Sequence, residues 1–418
     1  MFKSLSARVL TGLVLGLLVG AWVHSSGDPT LQGAANIVKA LGGLWLNALQ
    51  MTVVPLVFSL VVTGIASVAD AVSTGKLAAR AVMLFVVLIA GASVYGIAAT
   101  MGLLALWPVA ASDAAALIGS AHPSIDAGTA APDFASWIQA LAPSNLIAAA
   151  AKPDMLQLVT FAILFGFAAT RLPKDLREPL VTLFKAISEA VIIVVEWVLL
   201  LGPIGVFALS LGVGLSAGFD VAGGLLHYII VVTSVTAVAT PIAIVLAIVF
   251  GKISLKKFAA GAAPVWAIAF STQSSLASLP AMLEAARRSL AIPDRVSDLV
   301  LPLAVAVFRF TSPIANLAVC FFIAHLYNVH PSVLQMASAV FVAFTVSVAS
   351  VGLPGQVSFI SSIAPICLTL GLPLDLLGIF LAVEVIPDIW RTLGNVTGDL
   401  AATLILNRGE AKSDAKPA

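Results

Sequence analysis

The stretch Glu384-Val-Ile-Pro-Asp-Ile-Trp-Arg-Thr-Leu-Gly-Asn-Val-Thr-Gly-Asp399 decides how the rest of the chain is read. Apolar sequence leads into it from Leu376 and continues to Leu406, so a membrane-embedded helix is expected. Glu384, Asp388, Arg391, Asn395 and Asp399 recur at steps of 4, 3, 4 and 4 residues. At roughly 100° per residue these steps hold all five within an arc of about 80°, with Thr392 at its border. Ionisable groups in hydrocarbon are costly unless paired or wetted, and such a stripe marks a substrate or ion pathway. A buried salt-bridge ladder would give a similar pattern. Three carboxylates and an amide, however, exceed what one arginine needs.

Composition agrees. Of 418 residues, 60% are hydrophobic and only 10% charged, which points to a polytopic helical membrane protein and excludes a soluble domain. The net charge of +1 is uninformative, and no nucleic-acid partner is expected. Cys320 and Cys367 lie in apolar segments without metal-type spacing, and the five histidines are scattered. Neither a metal site, a disulfide framework nor a cofactor is expected. No Ser-His, Asp-Asp or metal-ligand constellation stands at helical spacing, which argues against an intramembrane enzyme.

Apolar spans run from Leu10 to Val23, Leu44 to Val68, Ala81 to Leu106, Met155 to Ala169, Ile187 to Leu211 and Leu225 to Phe250. The first could be taken for a signal peptide, but no small-x-small cleavage site precedes Gly27 and more spans follow. Basic residues gather at the N-terminus, in the 70s, 170s and 250s loops, from Arg287 to Arg295, and after Asn407. The intervening loops nearly lack them, so the positive-inside rule places both termini in the cytoplasm. Pro108 to Ser144 is expected to be an external insertion, and residues 408–418 a disordered cytoplasmic tail.

The final third departs from simple spans. Pro264 to Leu290 holds a hydroxyl-rich tip, Ser271 to Ser278, between two short apolar arms with basic residues at both ends. It is expected to be a re-entrant hairpin. Val333 to Leu372 repeats the design from the external side, with its tip at Ser347 to Gly355. Between them, Leu301 to Tyr327 carries Phe308-Arg-Phe-Thr-Ser-Pro313 in its middle and is expected to be a broken helix. Hairpin plus broken span, then hairpin plus polar span, is an inverted repeat whose half-helix ends can hold a solute.

At these residues the chain resembles the dicarboxylate/amino acid:cation symporter family, which includes the glutamate transporters. Asp388-x-x-Arg-Thr-x-x-Asn-Val-Thr-Gly-Asp399 is similar to the family's last-helix signature. Thr272-Gln-Ser-Ser and Gly352-Leu-Pro-Gly355 are similar to its two hairpin tips, and Pro203 to Leu209 and Met51 to Phe58 to scaffold segments. The resemblance implies an all-α fold of eight transmembrane helices plus two re-entrant hairpins, working as a homotrimer by an elevator motion. Residues 1–80 and the helices within 107–221 would form the scaffold; 81–106 and 222–407 would form the moving domain.

The resemblance also implies roles. Asp388 would bind a substrate ammonium and Arg391 a side-chain carboxylate. Asn395, Thr392 and Ser275 would bind the α-carboxylate or amino group, with Ser274 and Ser312 beside them and Gly352, Pro354 and Gly355 closing over. The residues themselves fit this: a guanidinium fork suits a carboxylate, and a carboxylate one turn away suits an amine. A plain dicarboxylate would leave Asp388 without a partner.

Departures from the family pattern bear on coupling. Sodium-coupled members carry Asn-Met-Asp-Gly-Thr in the broken helix; here Phe308, Arg309, Phe310, Thr311 and Ser312 stand there. The third-helix Tyr, Thr and Ser of a sodium site become Phe85, Leu88 and Ile89. A hard cation needs oxygen ligands, and these positions supply none. Asp399 remains, so Arg309 and Asp399 are read as a cation-replacing pair. The family's hairpin arginine becomes Gln273, its proton-carrying glutamate becomes Asn316, and Val357 replaces a small residue. Glu384 is the candidate proton carrier. Glu189, Glu196 and His325 are read as interfacial or interhelical.

The expected function is secondary transport of acidic amino acids across the inner membrane, sodium-independent, within lipid and as a homotrimer. The alternatives are a sodium- or proton-coupled dicarboxylate or cystine transporter, or a non-pumping channel or sensor of the same fold.

Overall fold

A computed structural model describes residues 5–119, 134–139, 141–152, 154–218, 221–349 and 355–414. Every regular element among them is helical. The first four helices are α1 (Leu5–Ser26), α2 (Pro29–Gln50), α3 (Val53–Ser73) and α4 (Lys76–Leu106). Asp28 caps α2 by accepting from the Thr30 amide at 2.8 Å, with Pro29 in the first turn where no amide hydrogen is needed. The span expected from Leu44 to Val68 is divided at Met51-Thr52. Pro55 stands in the first turn of α3, so the helix restarts just ahead of the residue that cannot donate.

Three short helices follow: α5 (Ala111–Ile118), α6 (Phe134–Gln139) and α7 (Leu146–Ala151). α5 and α6 lie in the insertion expected between 108 and 144, whose residues 120–133 and 140 lie outside the described residues, and α7 follows it. Next come α8 (Met155–Thr170), α9 (Lys174–Leu200), α10 (Gly202–Ala217) and α11 (Val221–Val249). Ile187 to Leu211 is not one straight span: α9 and α10 meet at 58°, with Pro203 opening the second. α1 lies directly on α10. A Cβ added at Gly12, Gly16 or Gly20 would stand 2.4, 2.1 or 2.3 Å from Pro203 O, Ser210 Oγ or Leu211 O, so only glycine permits this backbone approach.

The last third contains α12 (Leu255–Thr272), α13 (Ser275–Glu284), a π-helical turn at Ala285–Ser289, α14 (Asp294–Val307) and α15 (Ser312–Leu326). It ends with α16 (Val333–Ala349), α17 (Gly355–Thr369), α18 (Leu377–Val383) and α19 (Val385–Asp414). α12 and α13 fold back on each other through Gln273, which is left-handed at φ 52°, and the Ser274 hydroxyl caps α13 from the Ala277 amide. Residues 350–354 of the second tip, Gly352 and Pro354 among them, lie outside the described residues. α15 forms the centre of the molecule, buried from Ser312 through Ala324 among α4, α11, α16, α17 and α19. Among the described residues, five helical stretches are long and apolar enough to cross a membrane, and the α9–α10 pair adds a sixth if counted as one span. α19 runs through Arg408 to Asp414, with Glu410 bridging Arg80 at 2.5 Å and Arg295 at 3.2 Å, and residues 415–418 of the expected tail lie outside the described residues.

Candidate functional site

A cavity of about 680 Å³ opens where the α12–α13 turn, the break between α14 and α15, and the start of α19 converge. From the turn come Thr272, Gln273, Ser274 and Ser275; from the break, Phe308 and Arg309. From α19 and its junction with α18 come Glu384, Asp388, Thr392, Asn395 and Asp399. Of the five residues expected on one face, Glu384, Asp388, Asn395 and Asp399 line the cavity together with the bordering Thr392, and Arg391 does not reach the lining.

Two local features set this geometry. The helix expected from Leu376 to Leu406 is interrupted at Glu384, since Pro387 in the first turn of α19 cannot continue the hydrogen-bond ladder. Glu384 is thereby turned back along α19 onto Arg391, with Oε1 2.6 Å from Nη2. Asp388 Oδ1 lies 3.5 Å from Nη1 of the same guanidinium. The three are 2%, 8% and 2% exposed for Glu384, Asp388 and Arg391, so this is a buried cluster rather than a solvated face.

The second feature is the helix break. Thr311 anchors it to α19: its amide donates to Asn395 Oδ1 at 2.9 Å. Its hydroxyl lies 2.6 Å from the Arg391 carbonyl and 2.8 Å from Asn395 Oδ1, and donates to one at a time. Asn395 therefore turns its carbonyl to the break and keeps its amide hydrogens for the cavity. The Thr392 hydroxyl donates to Asp388 O at 3.0 Å. Gly394 makes this approach possible, since a Cβ there would meet Thr311 Cγ2 at 2.3 Å.

Phe308 and Asp399 line the same cavity. Phe308 stacks on Phe85 of α4 at 4.6 Å between ring centroids, and Phe310 lies 5.9 Å from Phe308. Both Asp399 oxygens are buried without a hydrogen-bond partner among the described residues. Arg309 lines the same cavity, within electrostatic reach of Asp399 and Asp388, and its Nη1 donates to Ser358 Oγ at 3.2 Å.

Ser274 and Ser275 are thus in the lining; Ser312 is not, and its hydroxyl is buried without a partner among the described residues. Gly355 begins α17, while Gly352 and Pro354 lie outside the described residues. Sequence reasoning missed Thr311 and Ser358. It also missed the wall supplied by Leu5 of α1 and by Glu196 and Leu199 of α9. The serines at 358, 361 and 362 in an apolar helix were the available signal. No group of three metal-ligating side chains occurs among the described residues.

Comparison with known proteins gives a consistent picture. The model of the sodium:dicarboxylate symporter family matches residues 5–409. The chain is 30% identical to a proton/glutamate-aspartate symporter of Escherichia coli (strain K12), over 99% of this chain and 95% of the relative. It is 28% identical to a proton/sodium-glutamate symport protein of Bacillus caldotenax, over 98% and 95%. A C4-dicarboxylate transport protein of Bacillus subtilis (strain 168) is 25% identical over 99% and 95%.

Proposed function

The chain belongs to the sodium:dicarboxylate symporter family, secondary transporters and not enzymes, and from that premise we propose that it carries acidic amino acids without sodium. The observation that carries the substrate assignment is one cavity lined by Asp388, Thr392, Asn395, Ser274 and Ser275, with the Arg391 guanidinium buried directly beside it. Asp388 holds the ammonium, Arg391 the side-chain carboxylate, and Asn395 with the first-turn serines the α-carboxylate. The relatives named for glutamate and aspartate support this choice over a plain dicarboxylate.

The chain is an integral membrane protein. We place it in the inner membrane with both termini cytoplasmic, as eight spans and two re-entrant hairpins in inverted repeat. α1–α3 and α8–α10 serve as scaffold in a homotrimer, and α4 with α11–α19 moves as an elevator.

Sodium independence rests on the stacked Phe85 and Phe308 rings, which put carbon where a hard cation would need oxygen. The guanidinium of Arg309, in the same cavity as Asp399, supplies a permanent tethered charge in place of the ion. An arginine at this depth costs roughly 2.5–3.5 kcal/mol on insertion scales, so it is retained for such a partner. A tethered charge cannot leave with the substrate and contributes no gradient energy, so concentrating power comes from protons. Titration of the purified protein with aspartate, malate and cystine tests the reading. Aspartate should bind and malate should not; malate binding as tightly would favour the C4-dicarboxylate reading that one relative suggests.

A further inference from the structure

Three elements of the proposed moving part meet at Arg309. The residue stands in the break between α14 and α15, and its guanidinium lies within electrostatic reach of Asp388 and Asp399 of α19. Its Nη1 donates at 3.2 Å to the Ser358 hydroxyl, near the start of α17. Ser358 and its neighbours Val357 and Phe359 are all buried, so the hydroxyl meets the guanidinium away from bulk water. A hydrogen bond from a charged donor is about twice as strong as a neutral one, and exclusion of water strengthens it further. The next serine on the helix behaves differently. The Ser361 hydroxyl turns back onto Val357 O of its own helix at 2.8 Å, the usual habit of a helical serine. Ser358 instead joins α17 to another element.

The same turn of α17 borders the cavity. Gln356 and Val357 line it together with Ser275 of α13 and Asp388 and Asn395 of α19. A substrate touching these walls bridges α17 to the rest of the moving part. When it leaves, that bridge is lost, whereas the Arg309–Ser358 bond has both partners in the chain and persists. Arg309 likewise offsets the charge of Asp399 whether or not substrate is present, and both Asp399 oxygens are buried without a hydrogen-bond partner among the described residues. Carrying such a carboxylate through the bilayer without a counter-charge would be costly. We propose that Ser358 is a positioning residue that, through Arg309, keeps the start of α17 seated on the helix break after substrate has left, so that the empty carrier returns by itself and the protein performs net transport rather than obligatory exchange. This rests on the reading of Arg309 as a tethered charge in an acidic amino acid carrier. In exchange the cavity is refilled before each return, and substrate bridges α17 with or without the Ser358 hydroxyl. In net transport every second crossing is made empty, and α17 then relies on the chain's own contacts.

The test separates the two modes in liposomes that contain the purified full-length protein and are loaded with labelled aspartate. The pH is equal on both sides, and the voltage is clamped with potassium and an ionophore. Efflux into medium without aspartate reports net transport; efflux into medium with unlabelled aspartate reports exchange. The parent should release label into both media. Ser358→Ala should lower net efflux about tenfold relative to exchange, the weight of one hydrogen bond to a charged group. Ser358→Thr, which keeps the hydroxyl, should restore the parent's ratio. A merely structural role would slow both modes together. Equal slowing or loss of both in Ser358→Ala, or an unchanged ratio, would therefore overturn the inference. So would a parent that exchanges aspartate but shows no net efflux, and that result leaves the substrate assignment standing. Absence of aspartate flux from the parent into either medium would instead refute the substrate assignment, and this inference with it.

Discussion

At the scale of single residues, Arg391 on α19 and Arg309 in the break between α14 and α15 are assigned different tasks. Removing the Arg391 side chain should weaken aspartate binding by roughly 2–5 kcal/mol, the loss of a charge-assisted bidentate contact in a closed site. The Arg391→Ala variant should still hold a neutral amino acid weakly through Asp388, as calorimetric titration would reveal. Unchanged aspartate affinity would rule out the assignment. For Arg309→Met, which leaves Asp399 without the tethered charge, aspartate binding in sodium-free buffer should be lost. Much of this site could be read in the sequence because side chains at steps of 4, 3, 4 and 4 must share a helix face. What could not be read was which of them pair. Pro387 interrupts the helix at Glu384 and turns that side chain onto Arg391, and the period of a continuous helix does not contain that bend. Likewise Thr311 and Ser312 are adjacent hydroxyls, and only the register of the break puts Thr311 on Asn395 and Ser312 away from it.

At the scale of elements, the first hairpin was legible because basic residues at both ends forbid a single crossing, and the α12–α13 fold-back through Gln273 follows that expectation. Breaks inside uniformly apolar sequence were harder to see. The division at Met51-Thr52 and the 58° bend after Leu200 lie in stretches where hydropathy stays high on both sides, and proline near a helix start is the sole local cue. The meeting of α16 with α3 provides a test of how the hairpins sit on the rest. A Cβ built on Gly64 would lie 3.7 Å from Ala349 Cβ, within the spacing of about 3.5–4.5 Å that a disulfide requires. The double variant Gly64→Cys/Ala349→Cys should cross-link on mild oxidation and lose uptake, with both effects reversed by reductant. Failure to cross-link would mean that α16 does not rest on α3 in the membrane.

At the scale of the whole molecule, α16 and α17 take the packing surface of α3, α8 and α9, while α12 and α13 pack chiefly on α14 and α19 and leave their tip beside the cavity. Leu5, near the N-terminus, reaches the same cavity. With the N-terminus placed in the cytoplasm, this arrangement fits a carrier opened inward, and the cross-link just described would trap that half of the cycle. The carrier's economy then depends on its cations. On the reading proposed above, the stacked rings of Phe85 and Phe308 fill one ion position and Arg309 stands for another. The most direct measurement of this account is aspartate affinity of the purified protein in sodium chloride against choline chloride at equal ionic strength and pH. The account predicts the same dissociation constant in both; a large gain in affinity on adding sodium would contradict it.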